Sequence, residues 1–378
     1  MTSLSEFVPR VQWKTCCLYS PRLPCLLLLF GLALIGGLVM HMNGPMAMHL
    51  NRIANTTHRL ISSRLHEHAM VSQPPCNATC RWLREQQRRK KRVSTVCNSY
   101  RNSSDARAND LSYTLTPQLL RTMNHFLVSD SHRLIYCYIP KVGCTNWKRV
   151  LLVLGGAIGG TNQSTQSETH VIAQKHIRTL AGYSLQAAKE RLDNYTTFMF
   201  ARHPFERILS GYRDKFLMDY PASTSFRRKY GPLISTYDDP RHRHPSRRSD
   251  GTLNVSFAQF ARYLGDPANS FRGDDPTEHW NQMYRICHPC AVSYDIVGNF
   301  STLHEDADFL LNLKGLDTKV SYPKSTNPTN SSDEQYLARY FANLLPGDIK
   351  ALLDRYLIDF ELFGYTLPSV VPAKNSPQ

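Results

Sequence analysis

The chain has 378 residues and a formal net charge of +15, with a sequence pI near 9.4. That length buries a full core and holds one large domain or two. The basic excess calls for an acidic partner: nucleic acid, an anionic membrane surface, or a sulfated or carboxylated polymer.

The N-terminal region narrows that choice. Residues 1–22 carry Arg10, Lys14 and Arg22, and 24–40 form an apolar run containing Leu26-Leu-Leu-Leu-Phe30. About 20 apolar residues cross a bilayer core, and extending the run over 23–42 reaches that length. A cleaved signal peptide is the rival reading, but its apolar stretch is shorter and followed by a small-x-small site. The expected order is a cytoplasmic tail (1–22), a transmembrane signal-anchor (23–42) and a luminal remainder, with the preceding basic residues setting the orientation.

Eight Asn-x-Ser/Thr sequons, at Asn55, Asn77, Asn102, Asn162, Asn194, Asn254, Asn299 and Asn330, all lie beyond the run. Together with the anchor they set the nucleic-acid reading aside. Seven of the ten cysteines are luminal on this reading, so disulfides are permitted and at least one thiol is left over. Cys287-His-Pro-Cys290 lacks a second CxxC, which argues against zinc; a local disulfide or two packed thiols is the plainer expectation. No metal site is expected.

Residues 43–110 are polar and basic, with Arg88-Arg-Lys-Lys-Arg92, and read as a luminal stem. The catalytic domain is expected over 111–370. In chain order, 134–139 reads as a strand, 146–154 and 187–192 as helices, 196–200 as a strand and 205–218 as a helix. Residues 237–251 look like a basic loop, and 254–264, 333–345 and 349–356 read as helices. This order predicts an α/β fold with a central parallel sheet flanked by helices.

Two strand-to-helix junctions about sixty residues apart carry the chemistry. In the first, Pro140 ends a strand, Lys141 sits at the turn, Gly143 allows close backbone approach, and Thr145, Asn146 and Lys148 stand at the helix start. In the second, Arg202 ends a strand and Ser210 follows two helical turns later, with Arg207 between. A helix N-terminus offers unpaired N–H groups and a partial positive charge, so each junction suits a phosphate or sulfate. Read alone, the first is also a capped turn with a stray lysine, and Arg202 could simply pair with Glu206. Read together, they suit a ligand with two separated anionic ends. The Walker pattern GxxxxGK[ST] is absent, which weighs against an ordinary ATPase or kinase.

These residues resemble the Golgi membrane-bound carbohydrate sulfotransferases of the chondroitin, dermatan and HNK-1 type. The resemblance covers most of 111–370. It rests on Tyr136-Cys-Tyr-Ile-Pro-Lys-Val-Gly-Cys-Thr-Asn-Trp-Lys-Arg149, on 202–210 with Tyr212-Arg-Asp-Lys-Phe216, and on Glu278-His-Trp280. Further matches are Cys287-His-Pro-Cys290 with Tyr294-Asp-Ile-Val-Gly298, and Asp359-Phe-Glu-Leu-Phe-Gly-Tyr365. His125-Phe-Leu-Val-Ser-Asp130 and Phe363-Gly-Tyr-Thr-Leu-Pro368 are most similar to the dermatan 4-O-sulfotransferase branch. The family usually has Arg-Glu-Pro where this chain has Arg202-His203-Pro204.

The resemblance implies a P-loop-like sulfotransferase fold and 3′-phosphoadenosine 5′-phosphosulfate as donor. It implies that Pro140, Lys141, Val142, Gly143, Cys144, Thr145 and Asn146 hold the 5′-phosphosulfate. Arg202, His203, Pro204, Phe205, Glu206, Arg207, Ile208, Leu209 and Ser210 would form the 3′-phosphate site. Lys141 is also expected to act catalytically, by neutralising the departing phosphate oxygen. His170 is the first candidate base, His279 the second and His176 the third, each weighed against an ordinary surface or core histidine.

The expected acceptor is the 4-OH of N-acetylgalactosamine in dermatan or chondroitin, an acidic polymer that Arg227-Arg-Lys229 and 241–248 could grip. The alternatives are another sugar, such as the 3-OH of terminal glucuronic acid, and a non-catalytic glycosaminoglycan-binding protein. The last would be favoured if Lys141 or Arg202 were missing, and both are present. The expected location is the Golgi membrane, and pairing into a homodimer is left open.

Overall fold

A computed structural model describes residues 76–239, 246–269, 276–324 and 329–368. The tail, the anchor and the first part of the stem lie outside the described residues, as does 241–245 of the basic loop. Among the described residues no helix is long and apolar enough to cross a membrane. The chain divides into Met1–Ala78 and Thr79–Gln378, and the second unit carries the architecture below.

Five strands form one sheet in the order β3-β1-β2-β4-β5: β1 Phe126–Ser129, β2 Leu134–Cys137, β3 Arg178–Thr179, β4 Thr196–Ala201 and β5 Ile296–Asn299. The sheet is mixed, which corrects the expectation of a parallel one. Strands β2, β4 and β5 run parallel, but β1 is antiparallel to both β2 and β3. The reason is local: only Asp130–Arg133 separates β1 from β2, and so short a link permits only a hairpin. Every residue of β2 is buried, as are Thr197–Ala201 of β4. Such continuous runs are what a strand covered on both faces requires.

Helix α3 (Cys144–Leu154) packs across this centre, following α1 (Ala78–Arg101) and α2 (Pro117–Arg121) in the chain. Its Trp147 is fully buried, with its ring 4.7 Å from Phe198 and 5.5 Å from Phe200. Next come α4 (Gln166–His176), α5 (Leu185–Asn194), α6 (Pro204–Tyr212) and α7 (Pro221–Ile234). The helix expected over 205–218 forms, as α6 continued without a break by a π-helical turn at Arg213–Leu217. Then follow α8 (Phe257–Gly265), α9 (Met283–Cys287), α10 (Leu303–Leu313), α11 (Glu334–Phe341) and α12 (Pro346–Phe363). A second aromatic core joins α6, α8, α11 and α12 through Phe205, Phe260, Phe341 and Tyr356.

The stem reading is corrected from Ala78 onward. Helix α1 buries Trp82, Gln86, Val93, Cys97 and Tyr100 along one helical stripe. Much of that contact is polar, so composition hid it. Trp82 Nε1 donates to Asp306 (2.7 Å), Arg89 pairs with the same carboxylate (2.8 Å), and Gln86 accepts from the Val297 amide (3.0 Å).

The Cys-His-Pro-Cys reading is also corrected. Cys290 bonds to Cys97 and Cys287 bonds to Cys137, so the motif ties α1 and β2 to one short segment. Cys144 remains a free buried thiol. The Cys137–Cys287 bridge closes 150 residues of chain at the end of β2, where the site begins. Replacing both cysteines by alanine should cost about 3–5 kcal/mol, because the open chain gains loop entropy. Denaturant unfolding under non-reducing conditions checks this, and an unchanged midpoint would contradict it.

Candidate active site

Strands β2 and β4 are parallel neighbours, with Tyr136 opposite Phe198 and Cys137 opposite Met199. Their C-terminal ends therefore open on the same sheet edge, where α/β folds bind ligands. The two junctions meet there. Lys141 carries φ +70° and Gly143 φ +74°, and these two left-handed residues turn the chain sharply into α3. A Cβ on Gly143 would sit 2.5 Å from the Tyr322 hydroxyl and 2.8 Å from Leu303 Cδ2, so only glycine fits. Cys144, Thr145 and Asn146 occupy the first turn of α3, whose amides have no partner within the helix. The Val142 amide is committed to the Ile139 carbonyl (3.2 Å) and its side chain is fully buried.

A cleft of about 570 Å³ runs from this turn to Arg202 and Ser210. Pro140, Lys141, Gly143, Cys144, Thr145, Asn146, His170, Arg202, Ser210 and His279 all line it. Arg202 donates to the Lys141 carbonyl (2.9 Å) and to the hydroxyls of Ser331 (2.9 Å) and Ser332 (2.8 Å), and it lies 3.9 Å over the Phe300 ring. Its carboxylate partner, Glu206, is distant at 3.4 Å. Burial therefore dominates and draws the guanidinium down to about 10, with Glu206 opposing. Ser210 shares a hydrogen bond with Thr329 (2.9 Å), which reaches Ser331 (2.8 Å). The result is a buried cation ringed by hydroxyl groups, which suits an oxyanion.

Several expected site residues face elsewhere. Pro204, Phe205, Ile208 and Leu209 are buried beneath the cleft, three of them in the aromatic core. Arg207 donates to the carbonyls of Pro140 (3.0 Å), Asn281 (2.5 Å) and Glu278 (2.7 Å), so it braces the loop from below. His203 turns away to cap α6: its Nδ1 accepts from the Phe205 amide (3.2 Å) and its Nε2 donates to the Thr366 carbonyl (2.9 Å). This unusual residue fastens the C-terminal segment and lies outside the cleft. Burial lowers its ring below the usual imidazole range. His176 is exposed at the end of α4, away from the site. Arg227 is fully buried against Asp250 (2.6 Å), so it is structural and cannot grip a polymer.

Of the remaining histidines, His170 Nδ1 sits 3.1 Å from the Lys148 ammonium and its Nε2 3.4 Å from the Thr145 hydroxyl. Burial first, and Lys148 second, push it down to about 4. An ammonium can only donate, so neutral His170 carries its proton on Nε2. His279 borders the cleft with Nε2 4.0 Å from Glu278, and burial with Lys215 beside it holds the ring well below the usual range. Glu278 also meets His125 Nε2 at 3.1 Å. Burial would raise its carboxyl, but that contact and nearby positive charge bring it to about 2.

Sequence reasoning gave no role to Asp214, Thr329, Ser331 or Ser332. Asp214 sat unremarked inside the Tyr212–Phe216 motif, and the hydroxyl trio showed only as the sequon at Asn330. Gly143→Ala should weaken binding of adenosine 3′,5′-bisphosphate at least tenfold, by forcing a Cβ into Tyr322. Titration calorimetry checks this, and wild-type affinity would contradict it.

The sequence pattern of the sulfotransferase family matches residues 124–366, spanning both junctions and the cleft. The chain therefore belongs to the sulfotransferase family. Its relatives within that family include carbohydrate sulfotransferase 11 of Rattus norvegicus, 36% identical over 286 residues, covering 75% of this chain and 76% of the relative. Carbohydrate sulfotransferase 10 of Xenopus laevis is 33% identical, covering 70% and 74%. Carbohydrate sulfotransferase 12 of Mus musculus is 37% identical, covering 65% and 61%. No solved structure matches the chain. It is an enzyme of the sulfotransferase class, and the donor this family implies is 3′-phosphoadenosine 5′-phosphosulfate.

Proposed function

We propose that the enzyme transfers a sulfuryl group from 3′-phosphoadenosine 5′-phosphosulfate to the 4-OH of N-acetylgalactosamine in dermatan or chondroitin chains. The observation that carries the reading is one cleft with Lys141 and the α3 amides at one end and Arg202, ringed by hydroxyls, at the other. A donor bearing a 5′-phosphosulfate and a 3′-phosphate has anionic groups for both ends. Lys141 with the amides of Cys144, Thr145 and Asn146 would take the phosphosulfate. Arg202, Ser210 and the 329–332 hydroxyls would take the 3′-phosphate.

The acceptor oxygen attacks sulfur, the bond from sulfur to the bridging phosphate oxygen breaks, and Lys141 stabilises the charge left there. The acceptor proton needs a base, and His279 is favoured over His170. The His170 Nδ1 lone pair is taken by Lys148 and its other nitrogen carries the proton, whereas His279 lines the cleft and its Nδ1 has no hydrogen-bond partner among the described residues. This reverses the order expected from sequence.

The acceptor follows from the resemblance of the His125–Asp130 and Phe363–Pro368 blocks to the dermatan branch, and the basic surface suits such a polymer. The location is a Golgi membrane, through a single span with the domain in the lumen. Two disulfides that tie distant segments of the domain together support an oxidising compartment.

Incubating the full-length enzyme with sulfur-labelled donor and desulfated dermatan, chondroitin and glucuronyl acceptors tests this. Label on O4 of N-acetylgalactosamine is expected, and a nucleotide-binding enzyme that labels no acceptor would overturn it. Lys141→Ala and Arg202→Ala should each lower kcat/KM by roughly 100- to 1000-fold. His279→Ala should lower kcat further than His170→Ala does, and steady-state kinetics with the reverse ranking would exchange their roles.

A further inference from the structure

Lys141 shares its buried pocket with a second lysine. The π-helical turn Arg213–Leu217 brings two consecutive residues, Asp214 and Lys215, to the reactive end of the cleft. Such widened turns cluster at functional sites. One carboxylate oxygen of Asp214 lies 3.1 Å from Lys141 Nζ and 3.1 Å from Lys215 Nζ. Its other oxygen accepts from the Tyr220 hydroxyl, and the Ser223 hydroxyl donates to the Asp214 carbonyl (2.7 Å). The side chains are 14%, 7% and 5% exposed for Lys141, Asp214 and Lys215. One carboxylate thus faces two ammoniums in a nearly dry pocket, leaving a positive charge that an arriving anion would complete.

We propose that Asp214 and Lys215 are positioning residues for sulfuryl transfer, Asp214 holding Lys141 until the donor anion replaces it and Lys215 then retaining Asp214. The proposal rests on the sulfotransferase reading above. Without Lys215, Asp214 would compete for Lys141 with its whole charge. Without Asp214, Lys141 would be a buried ammonium beside a like charge. The two residues therefore act on Lys141 in opposite senses. Burial lowers Lys141, Asp214 opposes that, and Lys215 and Arg202 add to it. The groups facing this cluster are Asp214 and Lys215 from the turn, Arg202 from the end of β4, Tyr220 across Asp214, and His279 from the segment before α9.

The test is the pH dependence of transfer by the full-length enzyme, read on the alkaline limb where Lys141 loses its proton. Asp214→Asn removes the group that keeps Lys141 charged, so the limb should move to lower pH by about one unit. Lys215→Met removes a like charge, so the limb should move to higher pH. Lys215→Arg keeps the charge and should leave the limb in place. Affinity for adenosine 3′,5′-bisphosphate reports folding independently of turnover, and if Asp214→Asn loses it, the Met and Arg variants at 215 decide alone. If Asp214→Asn and Lys215→Met bind nucleotide but their limbs stay put or shift in the same direction, or if Lys215→Arg shifts as Lys215→Met does, this proposal is overturned and the sulfotransferase reading stays intact. Failure of the wild-type enzyme to transfer would overturn both.

Discussion

The parallel pairing of β2 with β4 is the constraint on which the site depends. Both strands are short and apolar, and their parallel register carries the chain that leaves one strand alongside the chain that leaves the other. The Arg202 guanidinium then reaches the Lys141 carbonyl across 61 residues of sequence. Arg207, one turn into α6, grips the Pro140 carbonyl from beneath. Each arginine lends a donor to the loop that carries Lys141, so the second junction supports the backbone of the first. A loop with two left-handed residues in three needs such bracing, because that backbone is costly for lysine.

Positive charge is then concentrated where water is scarce. Arg202, Arg207 and Lys215 are buried and Lys141 is partly so, and the carboxylates facing them are fewer. Burying unpaired cations is expensive, and a fold that retains them stores a demand for anions. Among the described residues Arg207 meets carbonyls only, which spreads its charge over the loop dipoles. Arg202 and Lys141 keep faces toward the cleft. That difference separates the arginine that braces from the arginine that binds, though both sit in one motif.

Much of this was legible in the sequence because it is local. The aromatic runs of β2 and β4, the Pro-Lys-x-Gly turn and the arginine at a strand end are patterns of a few residues. What escaped depends on distance or on mixed polarity. The apolar run of β2 continues through Tyr138 and Ile139 to six residues, whereas β1 and β5, four residues each, end at Ser129 and Asn299. Helix α1 hides its buried face because Gln86 and Arg89 find partners more than 200 residues away. Ser331 and Ser332 join Arg202 across about 130 residues. Cys290 finds Cys97 across 193, so its nearer neighbour in the motif was a false lead. His203 stood out as an unusual residue, but only the fold shows that it fastens the tail and leaves the cleft to Arg202.

The central claim is that one two-ended anion bridges the two junctions. Its most direct test compares the affinities of adenosine 3′,5′-bisphosphate and adenosine 5′-monophosphate in the wild type and in Arg202→Ala. The account predicts that the wild type prefers the bisphosphate by roughly 100-fold, and that the variant loses nearly all of that preference while still binding the monophosphate. An Arg202→Ala enzyme that keeps the wild-type preference would contradict it.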